Sequence, residues 1–463
     1  MLPRPTVCIQ GLGFVGAAMA AAVAGAEDAG RRRFEVIGVD LDTPEGRRRA
    51  AAIDRGQFPF HCPDDKLQAA IAGAHAAGNL RGTTDEAVYE QADIVVVDVP
   101  LDVTDTDDAG PACDFTGFEA AIRTLGRRLR PGALVMVETT VPPGTCAQLA
   151  APILAAELDA RGLPPDGVLL AHSYERVMPG PGYFDSIVNF WRVYAGHTDE
   201  AADRCADFLS QVVNVADYPL RRLQSTTASE TAKVLENSYR AVNIAFIEEW
   251  GRLAEASGVD LFQVIAAVRD RPTHDNIRQP GFGVGGYCLP KDPLFPAVAA
   301  RAFLAGQPLS FPFSAAAVET NRRMPIANLD RLEALFGPLA GRTLLLLGVA
   351  YRPEVDDTRS APAEAFVREA ARRGATIRCH DPYVRHWQEL AMDIPDGLPD
   401  PQDVDGVVLA VGHRMYRDLD VAAWLGGARP FVYDCDNVLG DDMRARLRSL
   451  GMVVESTGRG RGL

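Results

Sequence analysis

One cysteine of this chain stands in a setting that suits covalent chemistry. The run Gly283-Val284-Gly285-Gly286-Tyr287-Cys288-Leu289-Pro290-Lys291-Asp292 puts a thiol directly after a glycine loop and a carboxylate four residues beyond it. Glycine lets the backbone approach a ligand closely or take positive φ, and Pro290, with its fixed φ, suits the first turn of a helix. The spacing therefore predicts Cys288 near a helix N-terminus, where the dipole favours thiolate over thiol, with Asp292 one turn on as a proton partner. The alternative is a tight turn around a buried, inert cysteine, since free cysteine is usually buried. A second pair, Lys233 and Asn237, stands at i and i+4 in a helical pattern. There an ammonium and an amide could jointly stabilise an alkoxide or a tetrahedral oxyanion; a solvated polar face is the alternative.

Such groups need a scaffold, and the start of the chain supplies a recognisable one. Thr6-Val7-Cys8-Ile9-Gln10 reads as an apolar strand, followed at once by Gly11-Leu12-Gly13-Phe14-Val15-Gly16 and an alanine-rich helix to about Gly25. In that context GxGxxG is a dinucleotide fingerprint: one glycine for the turn, one for pyrophosphate approach, one for helix against strand. A second strand, Phe34 to Val39, ends in Asp40, an acid suited to holding both ribose hydroxyls and repelling a 2′-phosphate, so NAD is expected rather than NADP.

Segments such as Ile94–Asp98, Ala133–Val137 and Val168–Ala171 alternate with helical stretches up to about residue 215, the rhythm of a doubly wound parallel sheet. Ser225–Ser257 is the longest helical pattern, with Ala228, Ala232, Leu235, Tyr239, Val242 and Phe246 at three-to-four spacing, and Gly258 ends it. After about Pro325 the strand rhythm restarts at Thr343–Gly348, Thr376–Cys379, Val407–Val411 and Phe431–Tyr433. The expected class is thus α/β: two Rossmann-like domains with doubly wound parallel sheets, at 1–215 and 326–463, joined by a long central helix in a helical domain at 216–325 that carries Cys288. Asp381 ends a strand as Asp40 does, but with no GxGxxG before it His380-Asp381-Pro382 reads as a turn. The glycine-rich tail Gly458–Leu463 is expected to be disordered.

At 463 residues the chain suits about three domains of roughly 150 residues each. A net charge of −15 without a basic stripe argues against a nucleic-acid partner, so an anionic substrate must be met by local cations. No secretory leader opens the chain and no apolar run is long enough to span a bilayer, so a cytoplasmic protein without a membrane partner is expected. The eight cysteines form no CxxC pair and the eight histidines no ligand spacing, so neither metal nor disulfide is expected.

The chain resembles the nucleotide-sugar 6-dehydrogenases, the family of UDP-glucose dehydrogenase and the UDP-N-acetylhexosamine dehydrogenases. Beyond the fingerprint and the Cys288 loop, the matching segments are Glu138–Thr145, Glu175–Gly180, Glu230–Asn237 and Gly348–Arg359. The resemblance implies a domain binding NAD, with Gly11, Gly13, Phe14, Val15, Gly16, Asp40, Pro100 and Thr140 on the cofactor and Arg359 reaching its pyrophosphate; a homodimer through the central helix; and a C-terminal domain for UDP. It implies oxidation of the C6 hydroxymethyl of a UDP-sugar to a carboxylate with two NAD, in the supply of polysaccharide or glycoconjugate precursors. Cys288 matches the family nucleophile, Asp292 and Thr140 the positions that hydrolyse the thioester, and Glu175 a further acid/base. Glu175, Arg176, Val177, Lys233, Asn237, Gly285, Gly286 and Arg352 match substrate-binding positions.

Departures from the family pattern are informative. Arg352 replaces a usual lysine, keeping charge but not geometry. His274 falls near where relatives carry an arginine that crosses to the neighbouring subunit's sugar, leaving Arg271 or Arg278 as substitutes. Tyr174 replaces the usual proline. Glu175-Arg176-Val177 and Pro280–Gly286 resemble the N-acetylhexosamine branch, whereas Tyr287 and Cys288–Asp292 resemble the UDP-glucose branch. For Arg359, a surface ion pair with Asp356 or Asp357 is the alternative. Two other function classes stay open: an idle Rossmann protein that only binds NAD and nucleotide, and a two-electron NAD dehydrogenase whose central helix also carries a Lys and Asn pair.

Overall fold

The computed structural model describes residues 4–104, 110–304 and 309–463. The chain forms two compact units, Met1–Glu236 with Leu294–Ser310 and Asn237–Pro293 with Phe311–Leu463.

The first unit is built on an eight-stranded sheet of β1 (Thr6–Gln10), β2 (Glu35–Val39), β3 (Leu80–Thr83), β4 (Ile94–Val97), β5 (Leu134–Val137), β6 (Leu169–Tyr174), β7 (Val193–Gly196) and β8 (Arg221–Arg222), in the order β8-β7-β6-β5-β4-β1-β2-β3. All neighbours run parallel except β6 and β7, where Tyr174 pairs with Val193. Both faces are covered, so the strands read as unbroken apolar runs rather than alternating ones. Val7, Ile9, Ile94, Val96, Leu134 and Met136 enter the core on one face; Cys8, Val95, Val97, Val135 and Val137 enter the core on the other. Helix α1 (Phe14–Gly25) is buried from Gly16 to Ala24, and small side chains there let it lie close to the sheet.

Helix α2 (Thr226–Ser257) spans 32 residues, ~48 Å at 1.5 Å per residue. It stops at Gly258, whose φ of +75° few other residues adopt. Tyr239, Phe246, Trp250 and Leu253 form an exposed apolar stripe along it.

The second unit contains α3 (Leu261–Arg269), α4 (Pro312–Phe336) and a five-stranded parallel sheet of β9 (Thr343–Leu347), β10 (Thr376–His380), β11 (Gly406–Leu409), β12 (Phe431–Asp434) and β13 (Val454–Ser456), in the order β10-β9-β11-β12-β13. Leu344 and Leu346 enter one core and Leu345 and Leu347 the other, so this sheet too is buried on both faces. Pro325, where the strand rhythm restarts in the sequence, lies inside α4.

The tail contradicts the expectation of disorder. Gly458 O accepts the Leu261 N–H at 3.0 Å, the Gly460 N–H donates to Val259 O at 2.9 Å, Arg459 pairs with Asp260, and its guanidinium lies 4.9 Å from the Phe262 ring centre. Arg459, among the glycines, supplies fixed contacts that composition alone hides.

Candidate active site

The loops following β1, β2, β4, β5 and β6 carry the cofactor and acid/base candidates of the first unit. Each glycine of the fingerprint takes its expected part. Gly11 has φ +97°, and a Cβ there would lie 2.5 Å from Asp98 O; a Cβ at Gly16 would collide with the Gly11 carbonyl; at Gly13 nothing lies within 4 Å. Gly13 is therefore the open face toward which a diphosphate can approach the N-terminus of α1. Phe14 stacks on Phe60 with centroids 4.0 Å apart, and Val15 lies in the first turn of the helix. The Asp40 carboxylate accepts the Leu12 N–H at 3.3 Å and the Leu41 N–H at 2.8 Å, which fixes it beside the glycine turn. Pro100 is exposed on the loop after β4, and Thr140 is half-buried on the loop after β5.

Lys233 on α2 meets the end of β6. Its Nζ donates to Glu175 O at 2.6 Å and lies 3.2 Å from Glu175 Oε1, with 8% of the side chain exposed. The other Glu175 oxygen accepts the Val177 N–H. Arg176 Nε donates to both Glu236 oxygens at 3.0 and 3.2 Å. One turn before Lys233, buried Glu230 accepts the N–H groups of Gly144 at 2.6 Å and Cys146 at 2.8 Å, tying α2 to the loop that carries Thr140. His172 on β6 shares a hydrogen bond with Ser229 Oγ at 2.8 Å; burial drives its pKa down to about 3, with Lys233 adding to the fall. It is a neutral imidazole at ordinary pH.

In the second unit, Cys288 is exposed while five of the other seven cysteines are buried and the remaining two half-buried. Burial pushes the thiols of Cys8, Cys205 and Cys379 up to about 12, so they stay protonated and inert. The loop at Cys288 differs from the expected helix start. The N–H groups of Lys291 and Asp292 both donate to Cys288 O, at 3.1 and 2.9 Å, closing a turn, and the α-helix begins only at Phe295. A 3-10 turn, Asp292–Leu294, leads into it, and Pro296 takes the first-turn place expected for Pro290. Asp292 is fully buried, with Oδ1 2.8 Å from Lys291 Nζ and Oδ2 accepting from Asn237 Nδ2 at 2.7 Å. Asn237 thus bonds Asp292, whereas Lys233 bonds Glu175. Gly285 and Gly286 are required by their own chain: a Cβ at Gly285 would lie 2.6 Å from Ser360 O and one at Gly286 2.7 Å from the Tyr351 ring.

Arginines gather around this loop. Arg240 loses hydration and feels Arg278 and Arg352, which disfavour its charge, while the Cys288 thiol and the Tyr351 hydroxyl favour it. Arg359 holds Asp357 in a fork, Nε to Oδ1 at 2.9 Å and Nη2 to Oδ2 at 2.7 Å, and stands 5.4 Å from the Tyr287 ring centre. Its ion pair with Asp357 is therefore present, whatever else it reaches. His274 is exposed and bonded to Thr273 Oγ1 at 2.8 Å. Asp381 is structural: its carboxylate accepts four backbone N–H groups at 2.9–3.2 Å and faces His413 Nε2 at 3.2 Å.

Sequence reasoning passed over Lys291, Arg240, Glu230 and His172. One signal was available for Lys291. The chain has 47 lysines and arginines, of which only Lys66, Lys233 and Lys291 are lysine. A chain that otherwise uses arginine keeps the compact, titratable ammonium beside Glu175 and Asp292. Among the described residues no group of three or more His, Cys, Asp or Glu could hold a metal, and no helix is long and apolar enough to cross a membrane.

Family resemblance runs along nearly the whole chain. The UDP-glucose/GDP-mannose dehydrogenase NAD binding domain matches residues 5–213, its central domain 227–323 and its UDP binding domain 345–441. The chain belongs to this family. It is an NAD-dependent oxidoreductase of the nucleotide-sugar dehydrogenases. It is 28% identical to the UDP-N-acetyl-D-mannosamine dehydrogenase of Methanocaldococcus jannaschii, over 89% of this chain and 87% of that one. With the NDP-N-acetyl-D-galactosaminuronic acid dehydrogenase of Ralstonia solanacearum it shares 29%, over 90% and 92%. The solved UDP-glucose dehydrogenase of Pyrobaculum islandicum superposes with a TM-score of 0.81 at 26% identity, covering 99% of this chain and 100% of that one. For the NAD site, the open face at Gly13 and the carboxylate of Asp40 fit a diphosphate and a ribose diol.

Proposed function

We propose that this dehydrogenase carries out a four-electron oxidation of the C6 hydroxymethyl of a UDP-hexose to the UDP-uronate, through a covalent intermediate on Cys288. The observation that carries the reading is the exposure of Cys288 alone among eight cysteines, on a loop whose buried Asp292 is held by Asn237 and Lys291. NAD, when bound, accepts hydride twice. The residues supply the rest. An exposed thiolate adds to the C6 aldehyde left by the first hydride loss, giving a thiohemiacetal that can lose a second hydride and become a thioester. Water then releases the carboxylate and frees the thiol. Asp292 and Thr140 serve this hydrolysis, with Glu175 as a further acid/base, and Lys233 stabilises the oxyanions. Glu175, Arg176, Val177, Gly285 and Gly286 shape the sugar pocket. Arg240, Arg278 and Arg352 are the local cations a UDP diphosphate needs on a chain of net charge −15. The apolar stripe of α2 pairs with a second copy, making a homodimer.

The relatives named for N-acetylated sugars favour a UDP-N-acetylhexosamine, and the Pyrobaculum structure keeps UDP-glucose open. The test is NADH formed per limiting UDP-N-acetylglucosamine, UDP-N-acetylmannosamine or UDP-glucose, for the native chain and Cys288→Ala. Two NADH per molecule of one of them, abolished by the substitution, is expected. One NADH per sugar, unchanged by the substitution, would mean a two-electron dehydrogenase; none from any would leave another nucleotide sugar or the idle binder.

A further inference from the structure

Tyr174 occupies the position where the family pattern has proline, and the structure gives its side chain a definite task. It ends β6 and is 1% exposed, so a large polar ring has been brought wholly into the interior. Such burial calls for a partner for the hydroxyl. The hydroxyl donates to Glu236 Oε1 at 2.9 Å and accepts from Arg176 Nη2 at 3.1 Å. Glu236 follows Lys233 by three residues on α2, so the same helical turn holds both ends of the arrangement. The ring face is used as well: Lys233 Nζ lies 5.5 Å from its centre and the Arg176 guanidinium 5.2 Å. Both distances are within reach of a cation–π attraction, which strengthens when water is excluded, as it is around Lys233 with 8% of its side chain exposed. A proline would offer neither ring nor hydroxyl.

We propose that Tyr174 is a positioning residue whose ring holds the Lys233 ammonium against Glu175 for catalysis. The inference rests on the reading of Lys233 as the oxyanion-stabilising group. Lysine is a point charge on a flexible four-carbon stem, so its direction has to be imposed by its surroundings. Glu175 grips the ammonium from one side through its carbonyl and one carboxylate oxygen. The Tyr174 ring supplies a further, uncharged surface that attracts the cation without competing for its protons.

The test uses the scarcity of lysine. Protein carrying 13C at lysine Cε gives three signals, from Lys66, Lys233 and Lys291, assigned with Lys66→Arg and Lys233→Arg. The native Lys233 signal is expected upfield of that of Lys66 through the ring current, as is that of Lys291, whose Nζ lies 4.3 Å from the Tyr287 ring centre; the Lys233 signal is expected to stay there in Tyr174→Phe and to return to the ordinary position in Tyr174→Leu. Turnover is expected to fall at least tenfold in Tyr174→Leu and no more than threefold in Tyr174→Phe, with NAD affinity unchanged in both. An unshifted native signal, a Tyr174→Phe variant as slow as Tyr174→Leu, or a parallel loss of NAD affinity would overturn the proposal, the last by making the role merely structural. Inactivity of the native chain on every UDP-sugar would instead remove the reading of Lys233, while the NMR signal still reports the ring contact.

Discussion

Glu230 joins α2 to the loop carrying Thr140, and removing its carboxylate has a calculable effect. In the folded chain both oxygens accept backbone N–H groups, from Gly144 and Cys146, with no side-chain exposure. Hydrogen bonds to a charged group contribute about 1.5–3 kcal/mol each. Burial pushes this carboxyl upward, so part of that gain is offset by lost hydration. Glu230→Ala leaves two buried donors without an acceptor, each costing about 1–3 kcal/mol, and a net loss of about 3 kcal/mol is a middle value. For a unit of this size that lowers Tm by about 6–12 °C. Glu230→Gln keeps one acceptor and is expected to lose about half as much. Differential scanning calorimetry on the native chain and both variants reads this directly. An alanine variant melting within about 1 °C of native, or a glutamine variant falling as far as alanine, would show that the clamp does not hold the loop.

Three other outcomes follow. Asp436 is pushed up to about 6 by burial and by Asp434, so its stabilising contribution is present below the unfolded carboxylate range and is lost as pH rises through 6. Asp436→Asn is expected to raise stability at pH 7.5 by about 1–3 kcal/mol and to flatten the pH dependence between 4 and 6, read by urea unfolding at several pH values. Gly16→Ala sets a methyl against the Gly11 carbonyl and 3.2 Å from Asp98 Cβ, and backbone cannot yield there, so titration calorimetry is expected to find NAD affinity at least about 100-fold weaker. Trp250→Glu puts a charge into the exposed α2 stripe; sedimentation is expected to show the native chain as a dimer and the variant as a monomer, whereas a native monomer would refute the pairing.

The cofactor cradle was legible in the sequence because most of its demands are local: the positive φ of Gly11 and the closeness of Gly16 to the Gly11 carbonyl lie within six residues and Asp40 ends the next strand, whereas the approach of Asp98 to both glycines comes from far along the chain. The long helix was legible for the same reason, its apolar period running to Gly258. What failed was also local but finer. Pro290 suits a helix start, yet the chain first closes a turn on Cys288 O and a 3-10 turn at Asp292–Leu294 before the helix begins at Phe295, and the glycines of the tail masked the contacts of Arg459. Pairings across the chain were out of reach. Neither the division of Lys233 and Asn237 between Glu175 and Asp292 nor the grip of Glu230 on Gly144 has any signature in spacing, because each is set by which loops the sheet brings to α2 or to the Cys288 turn. Arg359 could be read two ways from its neighbours, and the structure supplies its bond to Asp357.

The central claim is a covalent bond between Cys288 and the sugar. The direct measurement is the mass of the Cys288 peptide from Asp292→Asn enzyme, quenched in acid during turnover with NAD and the active UDP-sugar. A burst of two NADH per site and a peptide heavier by the oxidised sugar nucleotide are expected, because the thioester forms and hydrolysis is slowed. An unmodified peptide with no burst, together with undiminished turnover in Cys288→Ser, would contradict it.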